Sequence, residues 1–333
     1  MSPQENQQNS KQSTPKRTET LRVGIAGEQV KTVQKEIPAN EPPPLAPNDD
    51  LSVIGRPTKR WDGKAKVTGA ARYTADIRQP GMLYGKMVNA SVPHAKVLSI
   101  DTTAAERYPG VRAVYVVTHI DGSAELRDKS KEIPSQYPIV RYAGQPIAAV
   151  AAVSPQIASD AAKLVKVQYQ QFPFVIDRNV AEQPDAPLVY PGPADQAATA
   201  GGGGGPKNVS QVGNVHGPAE KQVGYVREGF AEADVILEEH FTTQVQTHSA
   251  LETHGVVANW KPDGLTVYAS TQSTSSVRDE LAYVFKLPKS KVRVITEYMG
   301  GGFGAKFGAG NPGVVATYLS QKANAPVWLM LIT

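Results

Sequence analysis

The chain has 333 residues, enough for two domains, with 35 basic and 31 acidic side chains, a net charge of +4 and no cysteine. The lack of thiols excludes disulfides, thiolate metal sites and iron–sulfur clusters held by this chain. The basic residues are scattered rather than striped, so nucleic acid is not an expected partner. No run approaches the ~18 apolar residues of a membrane span, and the polar N-terminus carries no apolar signal core, which points to the cytoplasm.

Residues 1–50 are rich in Gln, Lys, Pro and Glu and are expected to be disordered or extended, with a short strand over 20–25. A folded domain is expected over 51–172. Within it, strands are predicted at 82–90, 111–117, 137–141, 146–153 and 165–169. A short helix over 102–107 is capped by Asp101, and a second helix opens at Pro155 with Ile157, Ala161 and Leu164 on one face. Residues 173–225, proline-rich at 184–193 and with five glycines at 201–205, read as a flexible linker. A second domain is expected over 226–333. It begins with a strand at 235–241, continues with a hairpin (256–260 and 265–269), and then a helix capped by Ser276 with Val277, Leu281 and Val284 on one face. A strand over 291–296, a helix over 313–323 and a buried strand over 327–332 follow. That last strand is expected to lie uncovered at a sheet edge. Irregular alternation of strands and helices makes the fold class α+β.

Between the strand at 291–296 and the helix at 313–323 lies Tyr298-Met299-Gly300-Gly301-Gly302-Phe303-Gly304-Ala305-Lys306-Phe307-Gly308-Ala309-Gly310, with six glycines in thirteen residues. Such a strand-to-helix turn leaves backbone N–H groups open to an anion, most often a phosphate, at a helix N-terminus. A surface turn that needs positive φ is the other reading. Phe303 inside the run is expected to be a buried anchor. No Gly-Lys-Ser/Thr triplet completes a P-loop. The GxGxxG spacing at 308–313 lacks both a directly preceding strand and a downstream acidic partner, which disfavours a dinucleotide site.

Two polar clusters flank this turn. In His248-Ser249-Ala250-Leu251-Glu252-Thr253-His254, an extended backbone would put His248, Glu252 and His254 on one face, as a metal site or as a structural polar cluster. In Ser270-Thr271-Gln272, a glutamine at a strand end can both donate and accept.

Together these stretches resemble the molybdenum-cofactor-binding subunit of the xanthine dehydrogenase and aldehyde oxidase family, over residues 55–333. Arg60-Trp61-Asp62-Gly63 and Lys66-Val67-Thr68-Gly69-Ala70-Ala71-Arg72-Tyr73-Thr74 resemble the opening of its α/β hammerhead domain, and Tyr142-Ala143-Gly144-Gln145-Pro146 an internal loop of it. Leu251-Glu252-Thr253-His254 resembles a Glu-x-His element. Ser270-Thr271-Gln272 looks like the glutamine beside molybdenum, and Gly300-Gly301-Gly302-Phe303-Gly304 like the loop that approaches the cofactor.

The resemblance implies a hammerhead domain over about 63–172, followed by an incomplete molybdopterin-binding domain. It implies cofactor contacts from Gln272, Gly301, Gly302, Phe303 and Gly304, with no direct metal ligand from the protein. The implied cofactor is molybdenum-molybdopterin, in its cytosine dinucleotide form, and the implied reaction is hydroxylation of aldehydes or N-heterocycles with oxygen from water. FAD and 2Fe-2S clusters would sit on partner subunits, one of which could carry an export signal.

This chain departs from the family pattern in two ways. Phe307 stands where purine-oxidising members place a glutamate. The family's subunit also runs far past residue 333, so the base glutamate is expected in a missing C-terminal half and the chain alone is expected to be inactive. The competing reading is a non-enzymatic module that holds a cofactor or a partner.

Overall fold

Pro146–Ala152 is the strand on which the packing turns. Ile147 to Ala152 are all buried, a continuous apolar run covered on both faces. Alternation sends Ala149 and Ala151 into one core cluster and Val150 into another. The computed structural model describes residues 15–23, 31–40, 57–117, 137, 139–190, 211–216 and 223–331. Met1–Ala70 and Ala71–Thr333 form separate compact units.

In the first unit, β1 (Lys16–Val23) and β2 (Lys31–Pro38) pair antiparallel, Lys16 opposite Pro38 and Val23 opposite Lys31. Of the strand expected over 20–25, residues 20–23 belong to β1 and 24–25 lie outside the described residues; the polar composition hides a two-stranded ribbon. Helix α1 (Gly63–Val67) follows, with Asp62 held by Lys66 at 2.7 Å and by Arg60.

The second unit contributes β3 (Leu83–Asn89), β4 (Ala95–Asp101), α2 (Thr103–Glu106), β5 (Val111–Val116) and β6 (Pro146–Ala152). After these come α3 (Pro155–Lys163), β7 (Lys166–Gln171), α4 (Arg178–Ala181), β8 (Gln211–Val212), β9 (Val215–His216) and α5 (Val226–Glu232). The chain continues with β10 (Gly255–Lys261), β11 (Gly264–Ala269), α6 (Thr274–Val284), β12 (Val292–Ile295), α7 (Gly310–Ala323) and β13 (Val327–Met330). One seven-stranded mixed sheet runs β12-β11-β10-β13-β3-β6-β5, while β4 and β7 form a separate ribbon. The mixture of strands and helices is α+β. Helix α3 packs Ala161 and Ala162 against Val114 and Val150. Helix α7 packs Val314, Val315 and Leu319 into the core that holds Ala149 and Ala151.

Several expectations are corrected. Strand β13 is no open edge: it pairs with β10 antiparallel and with β3 parallel. Its second partner comes from the far end of the unit's sequence, which local pattern cannot reveal. Of the strand expected over 137–141, Val140 makes one bridge, to Ala95. Residues 235–241 form no ladder among the described residues, despite the apolar run Val235-Ile236-Leu237. The cap of helix α6 lies three residues before the predicted one. Ser273 is its N-cap, and the hydroxyl accepts from the Ser276 N–H at 3.3 Å, so Ser276 already lies in the first turn. Part of the expected linker is pinned: Asn214 donates to the carbonyls of Ala181 and Pro187 and accepts from the Val189 N–H. The five-glycine run lies outside the described residues.

Candidate functional site

Strands β11 and β12 are parallel, with Leu265 opposite Val292 and Tyr268 opposite Ile295. Their C-terminal ends therefore share one end of the sheet, where α/β proteins characteristically place ligands. Gln272 follows β11 there, and the glycine turn follows β12. His254, just before β10, and Leu331, just after β13, arrive at the same end; the Leu331 N–H donates to the His254 carbonyl at 2.8 Å.

The Gln272 amide is oriented by the turn. Its Oε1 accepts from the Gly304 N–H at 2.9 Å and lies 3.4 Å from the Lys306 N–H. Two backbone donors require the oxygen on that side, so Nε2 with its two hydrogens faces away from the turn. The main chain of Gln272 is held as well, its N–H donating to the Lys306 carbonyl at 2.7 Å, which also accepts from the Thr271 hydroxyl. Gly302 lies against this side chain so closely that a Cβ there would stand 2.5 Å from Gln272 Oε1.

The turn itself alternates hand. Gly301, Phe303 and Gly304 have φ of 103°, 50° and 98°. Such alternation turns neighbouring N–H groups toward a common side. The N–H groups of Gly301, Gly302 and Phe303 find no acceptor among the described residues, although Gly302 is buried. Phe303 is the one non-glycine in this strained stretch. It is 71% exposed, not the buried anchor expected from its setting, because its left-handed backbone turns the ring outward.

Beneath the turn lies a polar cluster. The Glu252 carboxylate accepts from the N–H groups of Gly300 (2.7 Å) and Thr74 (3.2 Å) and from the Ser270 hydroxyl (2.9 Å). The Lys306 ammonium, 2% exposed, donates to the Glu252 carbonyl at 2.6 Å and to Ser270 Oγ at 2.7 Å. Burial pushes the Lys306 pKa down, with the Glu252 carboxylate opposing that shift. Glu252 is thus committed to holding the turn. His254 Nε2 meets the Ala305 carbonyl at 3.0 Å. Residues 248–254 are not extended, and no group of three or more His, Cys, Asp or Glu side chains among the described residues could hold a metal.

The N-terminus of α7 does not supply the anion site expected of it. The Glu280 carboxylate of α6 accepts from the Ala309 N–H at 2.7 Å and occupies that end itself. The open amides lie further upstream, at 301–303. Phe307 is 42% exposed, beyond the buried Lys306. Glu252, Gln272 and the glycines stand out in the sequence, but Lys306 does not. The signal available was a lone lysine in an otherwise apolar, glycine-rich run.

The residue types fit a polyoxygenated ligand. A backbone cradle offers donors without side chains, and an outward amide NH2 stands beside it. No helix among the described residues is long and apolar enough to cross a membrane. Residues 68–173 match the aldehyde oxidase and xanthine dehydrogenase a/b hammerhead domain, and residues 206–332 match the molybdopterin cofactor-binding domain. A probable xanthine dehydrogenase subunit of Bacillus subtilis is 36% identical over 83% of this chain and 34% of its own length. The aldehyde oxidoreductase molybdenum-binding subunit PaoC of Escherichia coli K12 is 30% identical over 86% of this chain and 36% of its own. Among solved structures, the reconstituted CO dehydrogenase of Oligotropha carboxidovorans aligns with a TM-score of 0.63 at 29% identity, over 84% of this chain and 35% of that one. The chain spans about a third of the length of these relatives.

Proposed function

The chain belongs to the aldehyde oxidase and xanthine dehydrogenase family, and on that premise we propose that it is part of a molybdenum hydroxylase subunit that oxidises aldehydes. The observation that supports this best is the Gln272 amide, which two loop N–H groups orient so that its NH2 faces outward beside the open amides of 301–303. When bound, a molybdopterin cofactor supplies the metal centre that takes two electrons from substrate as a water-derived oxygen is added. Gln272 Nε2 donates to an oxygen of that group, and the N–H groups of Gly301, Gly302 and Phe303 bind its anionic part. The absence of side chains at 301 and 302 lets the backbone approach closely. The cytosine dinucleotide form is proposed for the cofactor, with FAD and 2Fe-2S clusters on partner subunits and a cytoplasmic location.

Glu252 is not the base of this reaction, since three donors already occupy its carboxylate. The base glutamate is assigned to polypeptide corresponding to the remaining length of the relatives. Phe307 favours aldehydes over purines. An apolar ring leaves the polar edge of a purine unpaired, whereas it packs well against an aromatic or aliphatic aldehyde. Steady-state rates of the native assembly on an aromatic aldehyde and on xanthine test this reading. Faster aldehyde turnover is expected; a preference for xanthine would contradict it. An assembly with molybdopterin but no oxidation of either class would favour a cofactor-holding module.

A further inference from the structure

The buried ammonium group of Lys306 has no part in the contacts proposed above, yet its residue touches Gln272, Ser270 and Glu252. Its main chain brackets Gln272, with the carbonyl accepting from the Gln272 N–H and the N–H near Gln272 Oε1. Its side chain runs the other way, to the Glu252 carbonyl and Ser270 Oγ. Ser270 passes the link to the Glu252 carboxylate, which holds the Gly300 N–H. One residue thus joins both ends of the glycine turn to the strand end that carries Gln272.

A buried lysine is an expensive way to fill space. Taking an ammonium out of water costs several kcal/mol, and well-packed apolar side chains of similar volume are often as stable. What the lysine adds over an apolar residue is direction, since its hydrogen bonds fix two backbone segments at one distance. We propose that Lys306 is a positioning residue, whose buried side chain sets the glycine turn against Ser270 and so holds the Gln272 amide with its NH2 facing the cofactor. This rests on the function proposed above.

Because Lys306 acts through Gln272, removing both should cost no more than removing either, whereas independent structural damage would add. The test uses the native assembly with wild-type chain, Lys306→Met, Gln272→Ala and the double variant, each checked for fold by circular dichroism. The readout is pterin fluorescence per chain after gel filtration, with kcat and KM for an aldehyde as a second measure. We expect each single variant to retain about tenfold less pterin, the loss of roughly one charge-assisted hydrogen bond, and the double variant to fall by about the same tenfold. Pterin retention by Lys306→Met equal to wild type, or a roughly hundredfold loss in the double variant, overturns the proposal. If Lys306→Met fails to fold, Ser270→Ala takes its place in the same cycle; it deletes one link and leaves the lysine, and additivity with Gln272→Ala is again the contradicting result. A wild-type assembly without pterin would overturn the proposed function as well, whereas intact wild-type binding with additive variants overturns this inference alone.

Discussion

Two stretches inside the region matched as a molybdopterin cofactor-binding domain behave in opposite ways. The glycine turn at 300–306 is irregular yet anchored on both sides of its open amides, at Gly300 by Glu252 and at Gly304 and Lys306 by Gln272. Residues 223–249 include the strand expected over 235–241, yet every residue there is exposed, including Val235, Leu237, Phe241 and Val245. An irregular backbone is fixed when buried polar groups enclose it. A short apolar run is not enough to make a strand, which needs a neighbour to satisfy its N–H and C=O groups. The turn packs against polar side chains from other parts of the unit; residues 223–249 stay exposed throughout.

The strongest way to break this contrast is to add a side chain at Gly302. A Cβ would collide with Gln272 Oε1 at 2.5 Å, so Gly302→Val should displace the amide. Misplacement of about 1 Å can cost roughly 10²-fold in rate, and kcat/KM of the native assembly should fall by about that factor. Next in size is Glu252→Ala. It strips the acceptor from Gly300, Thr74 and Ser270 together, and chemical denaturation should show a loss of about 1–3 kcal/mol, the usual cost of leaving buried donors unmade.

A smaller effect follows from pH. Burial lowers the folded-state pKa of Lys306 below the ordinary 10.5, so between the two values the unfolded chain holds more protons. Stability of the wild type relative to Lys306→Met should therefore rise with pH across that alkaline window. A fall there, measured by denaturation at stepped pH, would mean that attraction to the Glu252 carboxylate outweighs the effect of burial. The smallest effect belongs to the other stretch. Phe241→Ser should change the stability of the chain by no more than about 0.5 kcal/mol, as exposed substitutions do.

The sequence made the regular elements legible where their own residues decide them. Strands at 83–89, 146–152 and 255–269 and helix α7 follow from β-branched and apolar runs bounded by Pro and Gly. Glu252, Gln272 and the glycines were legible as a set only through the family resemblance, because nothing local says that 252, 270 and 300 meet. Lys306 was missed because a lone lysine usually faces water. Its burial depends on two acceptors from distant strand ends. Phe303 was misread because an apolar residue is expected to turn inward, whereas positive φ turned this one out. The double pairing of β13 was hidden by the long separation of β3 from it.

The central claim is that the Gln272 amide and the glycine turn hold a molybdopterin cofactor. The most direct measurement is molybdenum and pterin content per chain in the native assembly, for wild type and for Gly302→Val side by side. The account predicts close to one molybdenum and one pterin per wild-type chain, and a large loss of both in the variant with its fold retained. Molybdenum-free wild type that still oxidises aldehydes, or full cofactor content in Gly302→Val, would contradict it.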